Sequence, residues 1–134
     1  MMATMQDIIV ILDRIRSAHN VGSVFRTCDG VGVKKLYLVD YTPLPIDRFG
    51  RPQPEIKKTS LGASETIAWQ HTKAGGETAL VAEIKATGYQ LVAVEQTPAS
   101  VDFRTYVPHE KVAFVFGNEV EGVSAVFLEA ADAV

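Results

Sequence analysis

The run Lys111-Val112-Ala113-Phe114-Val115-Phe116 limits the fold of this chain more than any other stretch. A continuous β-branched and aromatic run, with no polar alternation, suits a strand buried on both faces of a parallel sheet. It breaks abruptly into Gly117-Asn118-Glu119-Val120-Glu121-Gly122-Val123-Ser124. Ligands of open α/β sheets bind outside the carboxyl ends of the strands, so this turn is a candidate site wall, and Gly117 would let a ligand approach the backbone closely. Ser124 is placed to cap a helix over 125–131, with Val123 packing on Leu128 as a hydrophobic staple.

The rest of the chain supplies the other parts of such a sheet. Residues 8–12 (Ile-Ile-Val-Ile-Leu) read as a strand that runs into a polar loop over 13–20. Asn20 is a good cap residue, and Val21, Val24, Phe25 and Cys28 fall at helical spacing, on a helix that Gly30 would close. Arg26 lies off that apolar face, one turn after Gly22, with its side chain leaning back over a residue that has none. That arrangement reads either as space left at the mouth of the strand or as a surface arginine beside a tightly packed glycine. A second strand covers 36–39, and a long stretch follows that holds Pro43, Pro45, Pro52 and Pro54 among Arg48, Arg51, Lys57 and Lys58. Its prolines predict an extended, positively charged loop rather than a helix. Leu61-Gly62-Ala63-Ser64 looks like a turn into a short helix, Ile67-Ala68-Trp69 a third strand, 77–87 a helix closed by Gly88, and 90–94 a fourth strand that Glu95-Gln96-Thr97-Pro98 ends. The order predicts an α/β fold: a mostly parallel sheet with helices on both faces, in one domain over 1–134.

Composition narrows the function classes. Hydrophobic residues at 47% and charged residues at 22% are ordinary for a soluble globular chain, no apolar run approaches membrane-spanning length, and residues 1–6 are too short and polar for a signal peptide. A cytoplasmic location is the default. Cys28 is the only cysteine, and His19, His71 and His109 show no metal-ligand spacing, so no metal is expected. The net charge of −3 is unevenly spread: residues 1–60 carry nine Lys/Arg against six Asp/Glu, and residues 61–134 carry four against ten. A basic face could come from the first part. Gly30-Val31-Gly32 follows a helix rather than a strand, which excludes a dinucleotide fingerprint. Gly117 and Gly122 have the glycine spacing of a P-loop, but Val123-Ser124 replaces its lysine.

With both glycine-containing turns placed, the chain resembles the SpoU class of the knotted (SPOUT) RNA methyltransferases. The first motif is carried by Asn20-Val21-Gly22-Ser23-Val24-Phe25-Arg26-Thr27 and the second by Phe116-Gly117-Asn118-Glu119-Val120-Glu121-Gly122-Val123, with Ser60-Leu61-Gly62-Ala63 between them. The resemblance implies transfer of a methyl group from S-adenosylmethionine to a ribose 2′-hydroxyl of tRNA or rRNA, by a homodimer. It implies Arg26 as base or relay with Asn20 and Glu119 orienting it, and a cofactor site lined by Val94, Glu95 and Gly117. Arg14, Arg16, Arg48 and Arg51 are the candidates for holding RNA. The family's third motif, a strand and turn leading to the last helix, is not found before Val134, so an incomplete knot lacking that strand and helix is expected. The rival reading is a non-catalytic RNA-binding module that keeps the fold without the cofactor. Arginine is a poor free base because its pKa exceeds about 12, so Arg26 acts either as the base or as a bidentate anchor for the neighbouring phosphate.

Overall fold

The computed structural model describes residues 7–95 and 110–134; residues 96–109, which include Gln96-Thr97-Pro98 and His109, and the first six residues lie outside that description. Five strands form one sheet in the order β3-β2-β1-β5-β4: β1 (Asp7–Asp13), β2 (Lys35–Val39), β3 (Ala68–Thr72), β4 (Gln90–Val94) and β5 (Lys111–Phe116). Every pairing is parallel. The Lys111–Phe116 run occupies an interior position between β1 and β4, as its unbroken apolar character requires.

Connection direction places the helices. From β1 to β2 to β3 the chain steps one way across the sheet, and right-handed crossovers then put α1 (Ala18–Val31), α2 (Pro54–Ser60) and α3 (Ala63–Thr66) on one face. From β3 the chain crosses back to the far edge, which carries α4 (Glu77–Ala86) to the opposite face, where α5 (Ala125–Ala130) joins it. Period-two alternation divides the core accordingly. Ile9 and Ile11 face Leu80, Ile84 and Phe127, whereas Val10 and Leu12 face Val21, Phe25 and Ile56. Each such side chain contributes about 1.5–3 kcal/mol relative to remaining exposed.

Local differences from the sequence reading have physical causes. The cap of the first helix lies three residues earlier than Asn20, at Ser17, whose side chain accepts from the Asn20 N–H, so the helix begins at Ala18; its C-cap is Gly32 (φ 80°) rather than Gly30. The proline-rich stretch is not wholly extended. Pro54 stands in the first turn of α2, where its missing N–H costs nothing, and Gln53 caps the Glu55 N–H. The third strand runs from Ala68 to Thr72, leaving Ile67 as the buried residue that ends α3. Ser124 does precede α5, but its side chain makes no cap hydrogen bond. Beyond α5, Ala133 pairs in parallel with Val92 on the outer side of β4.

Candidate active site at the carboxyl ends of β1 and β5

Leu12 of β1 stands opposite Phe116 of β5, so the loops that leave these two strands emerge side by side, the first into α1 and the second into α5. Asn118 joins them. It is 5% exposed and uses both ends of its amide: Oδ1 accepts from the N–H groups of Val120 and Glu121, each at 2.8 Å, and Nδ2 donates to the Arg14 carbonyl at 2.8 Å and the Tyr41 hydroxyl at 3.0 Å. Asn118 and Gly122 also exchange backbone hydrogen bonds at 3.0 and 2.9 Å, with Gly122 at φ 75°. One asparagine thus closes its own turn and fixes that turn against the ends of β1 and β2.

Carboxylates complete the joint. Asp13, 1% exposed, accepts from the Ser124 N–H at 2.7 Å and so satisfies the entry to α5 that the Ser124 hydroxyl does not. Glu119 reaches the other way and accepts from the N–H groups of Arg16 (3.0 and 3.2 Å) and Ser17 (3.1 Å), at the entry to α1. Partial burial would raise the Glu119 pKa, but hydrogen bonds from the backbone of Arg16, of Glu119 itself and of Ser17, and from the Asn20 side chain, outweigh it and hold the carboxyl below its ordinary value.

Of the sequence-predicted residues, the structure brings Asn20 and Glu119 into contact at the first turn of α1. Arg26 is exposed further along that helix, and among the described residues no hydrogen bond or ion pair to its guanidinium is seen. The glycine before it is a correction to the reading of space left at the strand mouth. A Cβ on Gly22 would collide with Thr59 Oγ1 and press on the Ile56 carbonyl at 3.1 Å, so the glycine admits α2 rather than leaving room. Gly117 is similar: a Cβ there would overlap the backbone of Gly122 and Val123, so what approaches it is the chain's own turn. Val94 and Phe116 are cross-strand partners at the ends of β4 and β5, 44% and 39% exposed, and beside them Glu95 accepts from the Val123 N–H at 3.3 Å. Val94, Glu95 and Gly117 therefore share one rim.

The four arginines divide. Arg14, at φ 57°, turns inward to Asp13 (3.3 Å), Glu121 (3.0 Å) and the Gly122 carbonyl (3.3 Å), bracing the second loop. Arg16 offers its backbone to Glu119 while its side chain is exposed. Arg48 and Arg51 lie on a separate exposed hairpin. Burial pushes the Cys28 thiol up to about 11, consistent with a core residue rather than a nucleophile.

Sequence reasoning missed Asp13, Tyr41 and Thr42. Thr42, 2% exposed, accepts from the Ile15 N–H at 3.0 Å and donates to the Val39 carbonyl at 2.8 Å, pinning the first loop to β2. An acid directly after an apolar strand was a usable signal for Asp13; nothing local pointed to the other two. Among the described residues there is no group of three His, Cys, Asp or Glu able to hold a metal ion, and no helix is long and apolar enough to cross a membrane.

Comparison with known proteins agrees with this geometry. Residues 7–134 match the model of the SpoU rRNA Methylase family. The chain belongs to that family. It is 33% identical over 131 residues to the tRNA (guanosine(18)-2'-O)-methyltransferase of Aquifex aeolicus, covering 95% of this chain and 56% of the relative. The enzyme of the same description from Escherichia coli K12 is 26% identical over 127 residues, covering 94% and 51%. The chain thus spans about half the length of the curated relatives it matches. Among solved structures, an rRNA methyltransferase from Sinorhizobium meliloti superposes with a TM-score of 0.79 at 28% identity, covering 98% of this chain and 48% of that one. Its AdoMet-bound form gives 0.79 at 27% identity, with the same coverage.

Proposed function

We propose that residues 1–134 form a SpoU-type catalytic domain that methylates a ribose 2′-hydroxyl of RNA with S-adenosylmethionine as donor. The observation that carries this reading is the joint itself. Asn118, Glu119 and Asp13 lock the loop after β5 to the loop that opens α1, at the place in an open α/β sheet where ligands bind.

The rim fits the cofactor's chemistry. Val94 and Phe116 offer adjacent apolar surface to an adenine face, and Val120, 78% exposed, adds more on the turn. Glu95 stands at the same rim, accepting from the Val123 N–H, and the S. meliloti relative was solved with AdoMet bound. When bound, S-adenosylmethionine supplies an electrophilic methyl group whose departing sulfur leaves as a neutral thioether. The chain's own residues must then position the ribose and receive its proton, and positioning is worth about 7–11 kcal/mol at best. Arg26 is assigned that role on α1, acting on the hydroxyl or on the adjacent phosphate, with Asn20 and Glu119 fixing the start of its helix.

Transfer RNA is the favoured substrate, since the A. aeolicus and E. coli relatives carry that description, and ribosomal RNA is the second candidate. A homodimer combines two basic halves across one RNA despite the net charge of −3. A cytoplasmic location follows from the substrate. Calorimetric titration with S-adenosylmethionine tests the reading: saturable binding that Val94→Lys weakens at least tenfold supports it. RNA binding without any cofactor binding would favour the non-catalytic alternative.

A further inference from the structure

Resting on the RNA reading above, we propose that Phe49 is a stacking platform for an unpaired base of the substrate, on a hairpin built to present it. Residues 46–52 form a small antiparallel hairpin bridged at Ile46 and Pro52. Its tip is organised by Asp47, which accepts from the Phe49 N–H at 2.8 Å, the Arg51 N–H at 3.0 Å and Arg51 Nε at 3.0 Å, while the Gly50 N–H closes on the Asp47 carbonyl at 2.9 Å. These bonds hold the Asp47 carboxyl below the usual carboxylate range, led by the one from the Arg51 backbone. The tip is therefore preorganised, and what it displays is a phenyl ring 66% exposed. Val31, Leu61 and Val120 are as exposed, and a single exposed apolar side chain needs no explanation; what sets Phe49 apart is the ordered tip and the two guanidinium groups against its ring.

The flanking charges say what covers it. The guanidinium carbons of Arg48 and Arg51 lie 4.8 and 5.0 Å from the Phe49 ring centroid. An exposed cation–π contact of this kind shifts an equilibrium only about two- to fivefold, whereas stacking a base on an aromatic ring is worth roughly five- to 150-fold. A base can thus displace one arginine from the ring. Arg51 is tethered to Asp47, so Arg48 is the one released, and it is then free to meet the phosphate beside the stacked base. Lys57 and Lys58, exposed in the last turn of α2, follow the hairpin in the chain. A duplex buries its base faces, so this surface selects single-stranded nucleotides.

The hairpin is joined to the candidate active site rather than remote from it. Ile46 and Asp47 line a cleft of about 400 Å³ together with Tyr41, Leu44, Gln53 and His71. Tyr41, from that same cleft, is the residue whose hydroxyl accepts from Asn118. The cleft thus runs from the base of the hairpin, at Ile46 and Asp47, to Tyr41, which touches the joint, so recognition of a nucleotide on Phe49 would help decide which loop of a folded RNA enters.

Fluorescence anisotropy with a mixed-sequence single-stranded RNA 12-mer, and with a duplex of the same length, tests this. Phe49→Ala should weaken single-strand binding by roughly five- to 150-fold and leave duplex binding and the S-adenosylmethionine titration unchanged. Phe49→Trp should keep the affinity and show emission quenched by the RNA beyond any change at Trp69, the wild type's single tryptophan, a signal that a merely structural role would not give. Wild-type binding with Phe49→Ala within twofold of it overturns the platform while leaving the methyltransferase reading intact. Failure of the wild type to bind the single-stranded 12-mer also overturns the platform, whereas the methyltransferase reading falls only with the S-adenosylmethionine titration. Self-association that Phe49→Ala abolishes, with RNA binding unchanged, would assign the ring to a second copy of this chain and overturn the proposal.

Discussion

Glu119 holds Arg16 by its backbone, not its charge: the carboxylate accepts the Arg16 N–H at 3.0 and 3.2 Å across 103 residues of sequence. The same carboxylate takes the Ser17 N–H at 3.1 Å, so one side chain on the second loop fixes the entry to the helix that carries Arg26. Glu119→Ala should remove that clasp at a cost of about 1 kcal/mol, since the group is exposed to water. Thermal unfolding should therefore fall by only about 3–5 °C, while methylation falls at least tenfold because the loops lose their register. A drop in stability with turnover unchanged would detach Glu119 from function.

Acid should act through the same contact. The folded-state pKa of Glu119 is lowered, so its contribution is fully present above the ordinary glutamate value of about 4.3. It is lost as pH falls through the lowered folded value. Asp47 is shifted in the same direction, so the informative quantity is a difference. Denaturant midpoints of wild type and Glu119→Gln should differ at pH 7 and converge on acidification below about pH 4. A gap that persists there would mean that Glu119 is not the group titrating.

Gly22 and Thr59 should behave as a coupled pair. A methyl group at residue 22 would enter the space of Thr59 Oγ1, and only part of the collision is with a side chain, because the Ile56 carbonyl would also lie 3.1 Å away. Gly22→Ala should destabilise by about 1–3 kcal/mol through overpacking. Adding Thr59→Ala should recover part of that loss but not all, measured as a double-mutant cycle in urea. Strict additivity would contradict the packing described for α1 on α2.

The strands were legible because β-branched runs such as Ile8 to Leu12 and Lys111 to Phe116 admit few other structures, and their order was enough for a two-faced parallel sheet. Helix α2 was not. Four nearby prolines outweighed the helical character of the residues after Pro54, although proline in a first turn is compatible with a helix. The sequence reading placed the cap of α1 at Asn20, a good cap residue, whereas the cap is Ser17, which Glu119 holds from the other loop in a contact no local pattern encodes. At the site, the second motif marked Glu119 and the turn around Asn118. The contacts of Asp13 with Ser124 and of Asn118 with Tyr41 span 111 and 77 residues, and no local pattern encodes them. Glycine was recognised at 22 and 117 as a place of close approach, but one sequence does not tell whether a ligand or the chain itself comes close.

Mass spectrometry of RNA nucleosides tests the central claim most directly. The protein is incubated with S-adenosylmethionine carrying a deuterated methyl group and with unmodified tRNA or rRNA, and the RNA is digested to nucleosides. The label should appear on the ribose of one nucleoside as a 2′-O-methyl group. Arg26→Ala should abolish it while keeping the wild-type melting temperature, and Arg26→Lys should not restore it, since lysine lacks the planar fork of guanidinium. Label on a base, no label on either RNA, or full labelling by Arg26→Ala would contradict the account.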